Sequence, residues 1–283
     1  MMRVAISGWA WRTPLGRTIN DAMARLLAGE RAAIANPRAG YAVSVAAPIQ
    51  GEPARSRHGR FLRRMGLFGM EVAAEALAAS GAGNGPRVGF FSGVGGLRAH
   101  WDDMMAGLAD QRDDGERAWE RGLCNVHPYW MLRHLSNNVH ALASVDLQLK
   151  GEGATYGGGN GGAQAIAAAA RALHDGAIDA ALIVSYDSLL EPETLVELGA
   201  RRAATQVAAG SIAAPYDERA AGFVPGEAAA AIVLVREADA ASPLALVSAV
   251  DTADGERAEP ASATISRAAS QLADGAGLVD GAV

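Results

Sequence analysis

The sequence contains one cysteine, one lysine and few aromatic residues. Because Cys124 has no second cysteine to pair with, the chain cannot form an internal disulfide, which fits a protein of a reducing compartment. Aromatic residues make up only 5% of the 283 residues, so we expect a core of Ala, Val, Leu and Gly packed through small side chains. The formal net charge of −6, with Lys150 as the single lysine, argues against general nucleic-acid binding.

No hydrophobic run has the length and composition of a membrane helix. The apolar run at residues 4–10 contains Ser7 and Gly8 and ends near Arg12, so it is too short for the core of a signal peptide. The longest uncharged stretch, residues 153–170, is rich in glycine, which disfavours a helix across a bilayer. We therefore expect no membrane span and a cytoplasmic protein.

Short apolar segments alternate with helical patterns along the chain. Residues 88–92 form an apolar run bounded by Gly and Pro, which is typical of a buried strand. Strands are also predicted at residues 3–8, 154–156, 181–185, 229–234 and 244–250, with a short strand near 41–47. Helices are predicted at residues 19–27, 60–80, 102–121, 128–147, 163–174, 193–202 and 263–274. This alternation predicts an α/β fold with a parallel or mixed sheet covered by helices on both faces.

A glycine-rich turn, T-Y-G-G-G-N-G-G-A-Q-A at residues 155–165, joins a short strand to an Ala-rich helix. Enzymes often mount a nucleophile on such a turn, because the helix N-terminus stabilises a developing anion. Here no Cys, Ser, Lys or Asp occurs between Thr155 and Arg171, and the amide of Asn160 is not a nucleophile.

Three interpretations of this turn stay open. Its five glycines would allow positive φ and close packing of the backbone. Gly157, Gly159 and Gly162 also satisfy G-x-G-x-x-G, the pattern of a phosphate-binding loop. A dinucleotide site needs an acidic residue at the end of the next strand, however, and Asp179 precedes the strand predicted at 181–185. The third interpretation is a former catalytic turn.

Several segments, in the same order along nearly the whole chain, resemble the β-ketoacyl-acyl-carrier-protein synthases of the thiolase superfamily. The opening R-V-A-I-S-G-W-A-W-R-T-P-L-G is similar to the first strand and turn of that family. Arg63-Arg64-Met65 and R-V-G-F-F-S-G at 87–93 are similar to its next helix and strand. P-Y-D-E-R at 215–219 and G-F-V-P-G-E at 222–227 resemble its "fD…rdGFv.GEGA" stretch.

The resemblance implies a thiolase-like fold. Residues 1–240 would form a complete N-terminal ketosynthase-like half, and residues 241–283 a partial, truncated C-terminal half. Residues 278–283 begin like one more buried strand where the sequence ends. We therefore expect the rest of the architecture to be missing or contributed by another chain.

The resemblance also locates the nucleophilic cysteine of the family. Alignment backward from Arg171 and Gly176 puts it at Gly159, and alignment forward from residues 149–151 puts it at Asn160. The two catalytic histidines of the family lie in its C-terminal half, whereas all six histidines of this chain fall earlier: His58, His100, His127, His134, His140 and His174. Acyl transfer needs a thiolate and donors for the thioester oxygen, so the resemblance implies a member without catalytic residues.

Non-catalytic members of this family include the chain length factor, which forms a heterodimer with an active synthase. The expected function is therefore a chain-length-setting subunit in type II fatty acid, polyketide or aryl-polyene-type biosynthesis, with an active β-ketoacyl synthase and acyl carrier protein as partners. One alternative is a malonyl-carrier-protein decarboxylase or degenerate acyltransferase that uses donors of the turn without a covalent step. A remote alternative is a nucleotide-binding oxidoreductase.

Two further groups of residues have an ordinary and a functional interpretation. Four arginines three to four residues apart on the predicted helix form a basic stripe, which is either a solvated face or a docking surface for an acidic carrier protein: Arg57, Arg60, Arg63 and Arg64. Tyr129 and Trp130 match a paired-aromatic position of the family near the dimer interface and the end of the acyl tunnel. They either pack in the core or form a floor that sets product length.

The single cysteine and the histidines predict neither a nucleophile nor a metal site. Cys124 is expected to be a small buried hydrophobe rather than a nucleophile. His127, His134 and His140 follow one another at intervals of seven and six residues, which does not form a tight set of metal ligands. We expect no metal and no cofactor.

Overall fold

A six-stranded mixed sheet, in the order β5-β4-β6-β7-β1-β8, forms the centre of the molecule. The computed structural model describes residues 3–95, 100–108, 123–214, 217–251 and 266–270. Its strands are β1 (Val4–Arg12), β2 (Ile34–Ala35), β3 (Val45–Ala46), β4 (Val88–Val94), β5 (Gly153–Gly157), β6 (Ala180–Ser188), β7 (Glu227–Arg236) and β8 (Ala245–Val247). Its helices are α1 (Ile19–Leu27), α2 (Arg64–Ser80), α3 (Trp101–Leu108), α4 (Trp130–Arg133), α5 (Asn138–Asp146), α6 (Gly161–His174) and α7 (Pro192–Ala200), and residues 266–270 are also helical.

The sheet is parallel on one side and antiparallel on the other. Strand β4 pairs in parallel with β5 and β6. Strand β7 runs antiparallel to β6 and β1, and β8 adds to the far edge of β1. All seven residues of β4 are buried, as the apolar run at 88–92 predicts. Strands β2 and β3 form a separate two-stranded sheet.

Helices cover both faces of the sheet, which confirms the predicted α/β architecture. Helix α2 packs Phe68, Val72 and Ala76 on one face. Helix α6 packs an alanine-rich side on the other face, against Phe91. Small residues allow this contact: a Cβ added to Gly93 in β4 would lie 2.4 Å from the backbone nitrogen of Gly162 in α6. Close backbone approach thus packs this face of the sheet around the few aromatic residues that the core contains.

One predicted helix is two helices in the structure. Residues 128–147 divide into α4 and α5, with residues 134–137 between them. The side-chain amide of Asn138 lies 3.3 Å from the carbonyl oxygen of Leu132 and 3.4 Å from that of Phe61. The bond to Leu132 satisfies a carbonyl group that a continuing helix would otherwise use, and the bond to Phe61 ties the break to the segment before α2.

Other boundaries differ by a few residues. Helix α1 matches its prediction, and the hydroxyl of Thr18 caps it by accepting from the backbone N–H of Asp21 at 3.1 Å. Strand β1 extends beyond the predicted residue 8, and β8 is shorter than 244–250. Most of the predicted helices at 102–121 and 263–274, and residues 278–283, lie outside the described residues. No helix in the described part combines the length and apolar character of a membrane span.

Candidate functional site

The glycine turn lies at the carboxyl edge of the sheet, between β5 and α6. The backbone N–H of Gly158 donates to the carbonyl of Val94 at 2.9 Å, so the turn is fastened to the end of β4. Gly158 has a φ of +108°, which requires glycine. The backbone N–H of Gly161 donates to the carbonyl of Gly158 at 3.0 Å and leads into α6. The turn thus has a defined backbone geometry.

Gly159 faces open space. A Cβ built on it meets no atom within 4 Å, and its φ lies outside the left-handed region. By contrast, a Cβ on Gly161 would lie 2.8 Å from the carbonyl oxygen of Tyr156. The amide oxygen of Asn160 accepts from the side chain of Gln164 at 2.9 Å, within the first turn of α6. The turn has room for a side chain at position 159 and carries none.

The acidic residue required for dinucleotide binding is engaged elsewhere. Asp179 lies before β6 and forms ion pairs with Arg87 at 2.8 Å and Arg236 at 2.9 Å. Hydrogen bonds first from Arg87 and then from Arg236 hold the pKa of this carboxyl well below its ordinary value. Because β6 is parallel to β5, its start lies at the opposite edge of the sheet from the turn. The carboxylate therefore cannot serve a ligand bound at the glycines.

The predicted basic stripe is not formed. Helix α2 begins at Arg64, so Arg57 and Arg60 lie in the preceding segment rather than on its surface. Arg63 binds Asp103 at 3.1 Å and Glu191 at 3.0 Å, and its side chain is only 17% exposed. The prediction of one shared helical face is wrong, because acidic residues distant in sequence draw part of the set inward.

Arg64 is held as firmly as Arg63. It binds the carboxylate of Glu227 at 2.6 Å and donates to the carbonyl of Ile49, also at 2.6 Å. Arg57 and Arg60 stay exposed. Arg57 pairs with Asp146, and the guanidinium of Arg60 lies 4.6 Å from the ring centroid of Phe61. Arg63 and Arg64 therefore hold elements of the domain together, whereas Arg57 and Arg60 are exposed to solvent.

Tyr129 and Trp130 lie at the start of α4, outside the buried core clusters. The ring of Tyr129 is exposed and meets Phe61 edge-on, with centroids 5.0 Å apart. The ring of Trp130 packs on His134 at 4.5 Å. Around them α3 and α4 expose an apolar cap, which we define as Trp101, Met105, Tyr129, Met131, Leu132 and Leu135. Tyr129 is therefore a surface residue, whereas Trp130 is partly buried at the edge of the domain.

The cysteine and the histidines do not form a centre of their own. Cys124 is exposed, which corrects the expectation that it is buried. It lies in a short 3₁₀ helix, Leu123–Asn125, next to residues outside the described part. His140 lies beside β5, where burial lowers its pKa, and His134 packs on His100 at 4.8 Å. Among the described residues, no three His, Cys, Asp or Glu side chains are grouped so that they could hold a metal ion.

Sequence reasoning missed a charged cavity of about 420 Å³ between the start of α2, the carboxyl ends of β4 and β6, and α4. Its walls bring together residues from distant parts of the chain, among them Arg63, His100, Arg133 and Glu191. No local pattern marks them, because each belongs to a different element. These residues come together around one cavity only when the chain is folded.

The family model described as "Beta-ketoacyl synthase, N-terminal domain" matches residues 1–240. The chain therefore belongs to the β-ketoacyl synthase family and has its thiolase-like ketosynthase fold. No curated protein matches the sequence.

Solved structures share the fold. A β-ketoacyl synthase from Burkholderia phymatum superimposes with a TM-score of 0.76 at 21% identity, over 96% of this chain and 71% of that one. The ishigamide ketosynthase/chain length factor gives 0.68 at 17% identity, over 84% and 59%. The AntDE:AntF complex, a type II polyketide synthase acyl-carrier protein with its ketosynthase bound to the hexaketide, gives 0.62 at 17%, over 84% and 63%. This chain thus spans less than two thirds of the length of the last two.

Proposed function

We propose that this chain is a non-catalytic, chain-length-factor-like subunit of a heterodimeric type II ketosynthase. Its partner is an active β-ketoacyl synthase, which takes the acyl chain on its own cysteine and forms the carbon–carbon bond from malonyl-carrier protein. This chain contributes surface and shape to the acyl tunnel of that partner. The pair works in type II fatty acid, polyketide or aryl-polyene-type biosynthesis, in the cytoplasm.

The absence of a nucleophile from the turn before α6 carries the proposal. A covalent acyl step needs a thiolate, hydroxyl or amine at that turn. Position 159 has the space for a side chain but holds glycine, and the amide of Asn160 is bonded to Gln164. Of the two alignments of the lost cysteine, the open space favours Gly159.

The edge of the sheet supports pairing with another chain. Strand β5 is the outermost strand, and within the described residues it pairs with β4 alone. An unpaired strand edge offers backbone donors and acceptors to a strand of a second chain. The apolar cap on α3 and α4 adds a hydrophobic surface, with Met131 66% exposed. We infer that the synthase partner covers both features.

Two finer roles belong to the same proposal. Tyr129 and Trp130 end the acyl tunnel of the partner and so limit product length. Acyl carrier protein docks at the segment before α2, where exposed Arg57 and Arg60 contact it while Arg63 and Arg64 hold the segment to the domain. Residues 241–283 begin the second half of the fold.

Co-expression with an active synthase tests the proposal. We expect the two chains to elute together from size exclusion, and the acyl group to be found by mass spectrometry only on the partner. The isolated chain should hold no acyl group and release no CO2 from malonyl-carrier protein. Decarboxylation by the isolated chain would instead favour the alternative in which the turn supplies oxyanion donors without a covalent step.

A further inference from the structure

Buried nitrogens without hydrogen-bond partners are concentrated in one place. The described part of the chain contains four such side-chain atoms: Trp11 Nε1, His100 Nδ1, Trp130 Nε1 and Arg133 Nε. Three of them belong to one cluster, because the ring of His134 packs on both His100 and Trp130, and Arg133 is its neighbour in the chain. Buried polar groups are nearly always paired, so three unpaired nitrogens together indicate an acceptor that the described residues do not supply.

His100 and Arg133 line the charged cavity of about 420 Å³. Most other charged groups in its wall are already paired. Arg63 binds Asp103 and Glu191, and Arg64 binds Glu227. Arg38 binds Asp102 at 2.6 Å.

The Nε–H group of Arg133 donates to no acceptor among the described residues. Among the described residues, the acid within 4 Å of its guanidinium is Asp103, at 3.9 Å, and Asp103 lies closer to Arg63 at 3.1 Å. His100 Nδ1 lies 3.9 Å from the carboxylate of Glu191, which is too long for a hydrogen bond. The cavity therefore presents one guanidinium N–H and one imidazole nitrogen without a close acceptor.

We propose that this cavity binds a short-chain carboxylate, with one oxygen on Arg133 Nε and the other on His100 Nδ1. The two nitrogens equal in number the two oxygens of one carboxylate, and charge-assisted bonds of this kind are strong. Phosphate fits less well, because the wall carries four arginines, Arg38, Arg63, Arg64 and Arg133, against three acids, Asp187, Glu191 and Glu227, so one negative charge balances it and a dianion exceeds it.

The apolar residues of the cavity wall favour a ligand with an alkyl group beside its carboxylate. Met65, Val94 and Leu190 contribute to the wall and offer contact to a short alkyl chain. The site does not depend on the proposed partnership with a synthase, since every residue named belongs to this chain.

Calorimetric titration of the full chain with sodium butyrate, at ionic strength held constant with sodium chloride, tests the site. We expect saturable binding that weakens at least about tenfold in Arg133→Met and in His100→Phe, the loss of one charge-assisted bond. His100→Phe keeps a ring against His134, so it decides the outcome if Arg133→Met does not fold. Arg201→Met, at an exposed arginine paired with Glu197, should bind as the parent does.

Three results would overturn the proposal. They are the absence of saturable heat with butyrate, equal affinity in the parent and in folded Arg133→Met or His100→Phe, and tighter binding of sulfate than of butyrate under the same conditions. The last result would mean that the cavity prefers a dianion, contrary to the charge of its walls.

Discussion

At the scale of single residues, the glycines of the turn are not equivalent. Gly159 has open space around its α-carbon, whereas a Cβ on Gly161 would meet the carbonyl oxygen of Tyr156 at 2.8 Å. We predict that Gly159→Cys changes the free energy of unfolding by less than about 1 kcal/mol, while Gly161→Cys lowers it by about 1–3 kcal/mol through the clash. Urea denaturation of both variants checks this. Equal losses would mean that position 159 is no more open than its neighbour.

Arg12, the most buried arginine among the described residues, predicts a larger effect. Arg12 binds Glu71 at 3.0 Å and also Glu75, which ties the end of β1 to α2. Hydrogen bonding to Glu75 raises the pKa of its guanidinium. Arg12→Met removes the buried cation that Glu71 and Glu75 share, while Glu71 keeps Arg17 at 3.2 Å and the backbone N–H of Ala54, so we expect a loss of about 2 kcal/mol in unfolding free energy.

Arg201→Met serves as the matched control for Arg12→Met. It removes an exposed pair with Glu197 and should cost at most about 0.5 kcal/mol in the same denaturation experiment. A similar cost for the two variants would show that burial adds nothing to the Arg12 pairs.

At the scale of elements, Asp146 is one of the carboxylates that anchor the segment before α2. Asp146 at the end of α5 binds His58 at 2.7 Å and also Arg57. Burial raises the pKa of Asp146, but hydrogen bonds from Arg57 and His58 outweigh it and leave the pKa below its ordinary value. A lowered folded pKa stabilises the protein above the ordinary carboxyl pKa near 4, and this stabilisation is lost as pH falls further.

Asp146→Asn should therefore lower the free energy of unfolding by about 1 kcal/mol at pH 7. The difference from the parent should narrow as pH falls below about 4, where the parent loses the same charge. Denaturation curves recorded from pH 7 to pH 3 measure the loss of unfolding free energy and its dependence on pH. Asp175→Asn, at an exposed carboxylate, is the control. A difference that does not depend on pH would contradict the assignment.

The same segment bears the proposed carrier contact. Arg60→Glu reverses an exposed charge and should weaken binding of acyl carrier protein roughly fivefold at low salt, a loss of about 1 kcal/mol. Arg64→Glu should instead impair folding, because it places a carboxylate beside Glu227. Fluorescence titration with labelled carrier protein measures the first effect, and circular dichroism the second. An unchanged titration curve for Arg60→Glu would remove this docking surface.

The elements themselves show what a sequence can predict. Strand β4 and helix α6 follow from a continuous apolar run and an Ala-rich period, since both signals are local. The break between α4 and α5 depends on a bond from Asn138 to Phe61, 77 residues away. Arg63 likewise meets Glu191 across 128 positions. Contacts of this kind exist only once the chain has folded, so neither the break nor the loss of the basic stripe could be predicted.

At the scale of the whole molecule, two surfaces that the described residues leave uncovered are those that we propose to face the partner. They are the edge of β5, which leads into the glycine turn, and the apolar cap beside α4. The resemblance of the sequence to ketosynthases pointed to the vacant turn, but not to the cavity between α2 and α4. That cavity is lined by residues of six separate elements, α2, β4, α4, α5, β6 and β7.

If the partner's acyl tunnel ends against α4, the size of the ring there sets how long the product grows. Trp130→Ala removes a large side chain from that end, so the co-expressed pair should make longer acyl products, measured by mass spectrometry of the released chains. Leu27→Ala, at an exposed side chain on α1, should leave the products unchanged. Size exclusion must show an intact pair for each variant. An unaltered distribution from an intact Trp130→Ala pair would mean that the tunnel ends elsewhere.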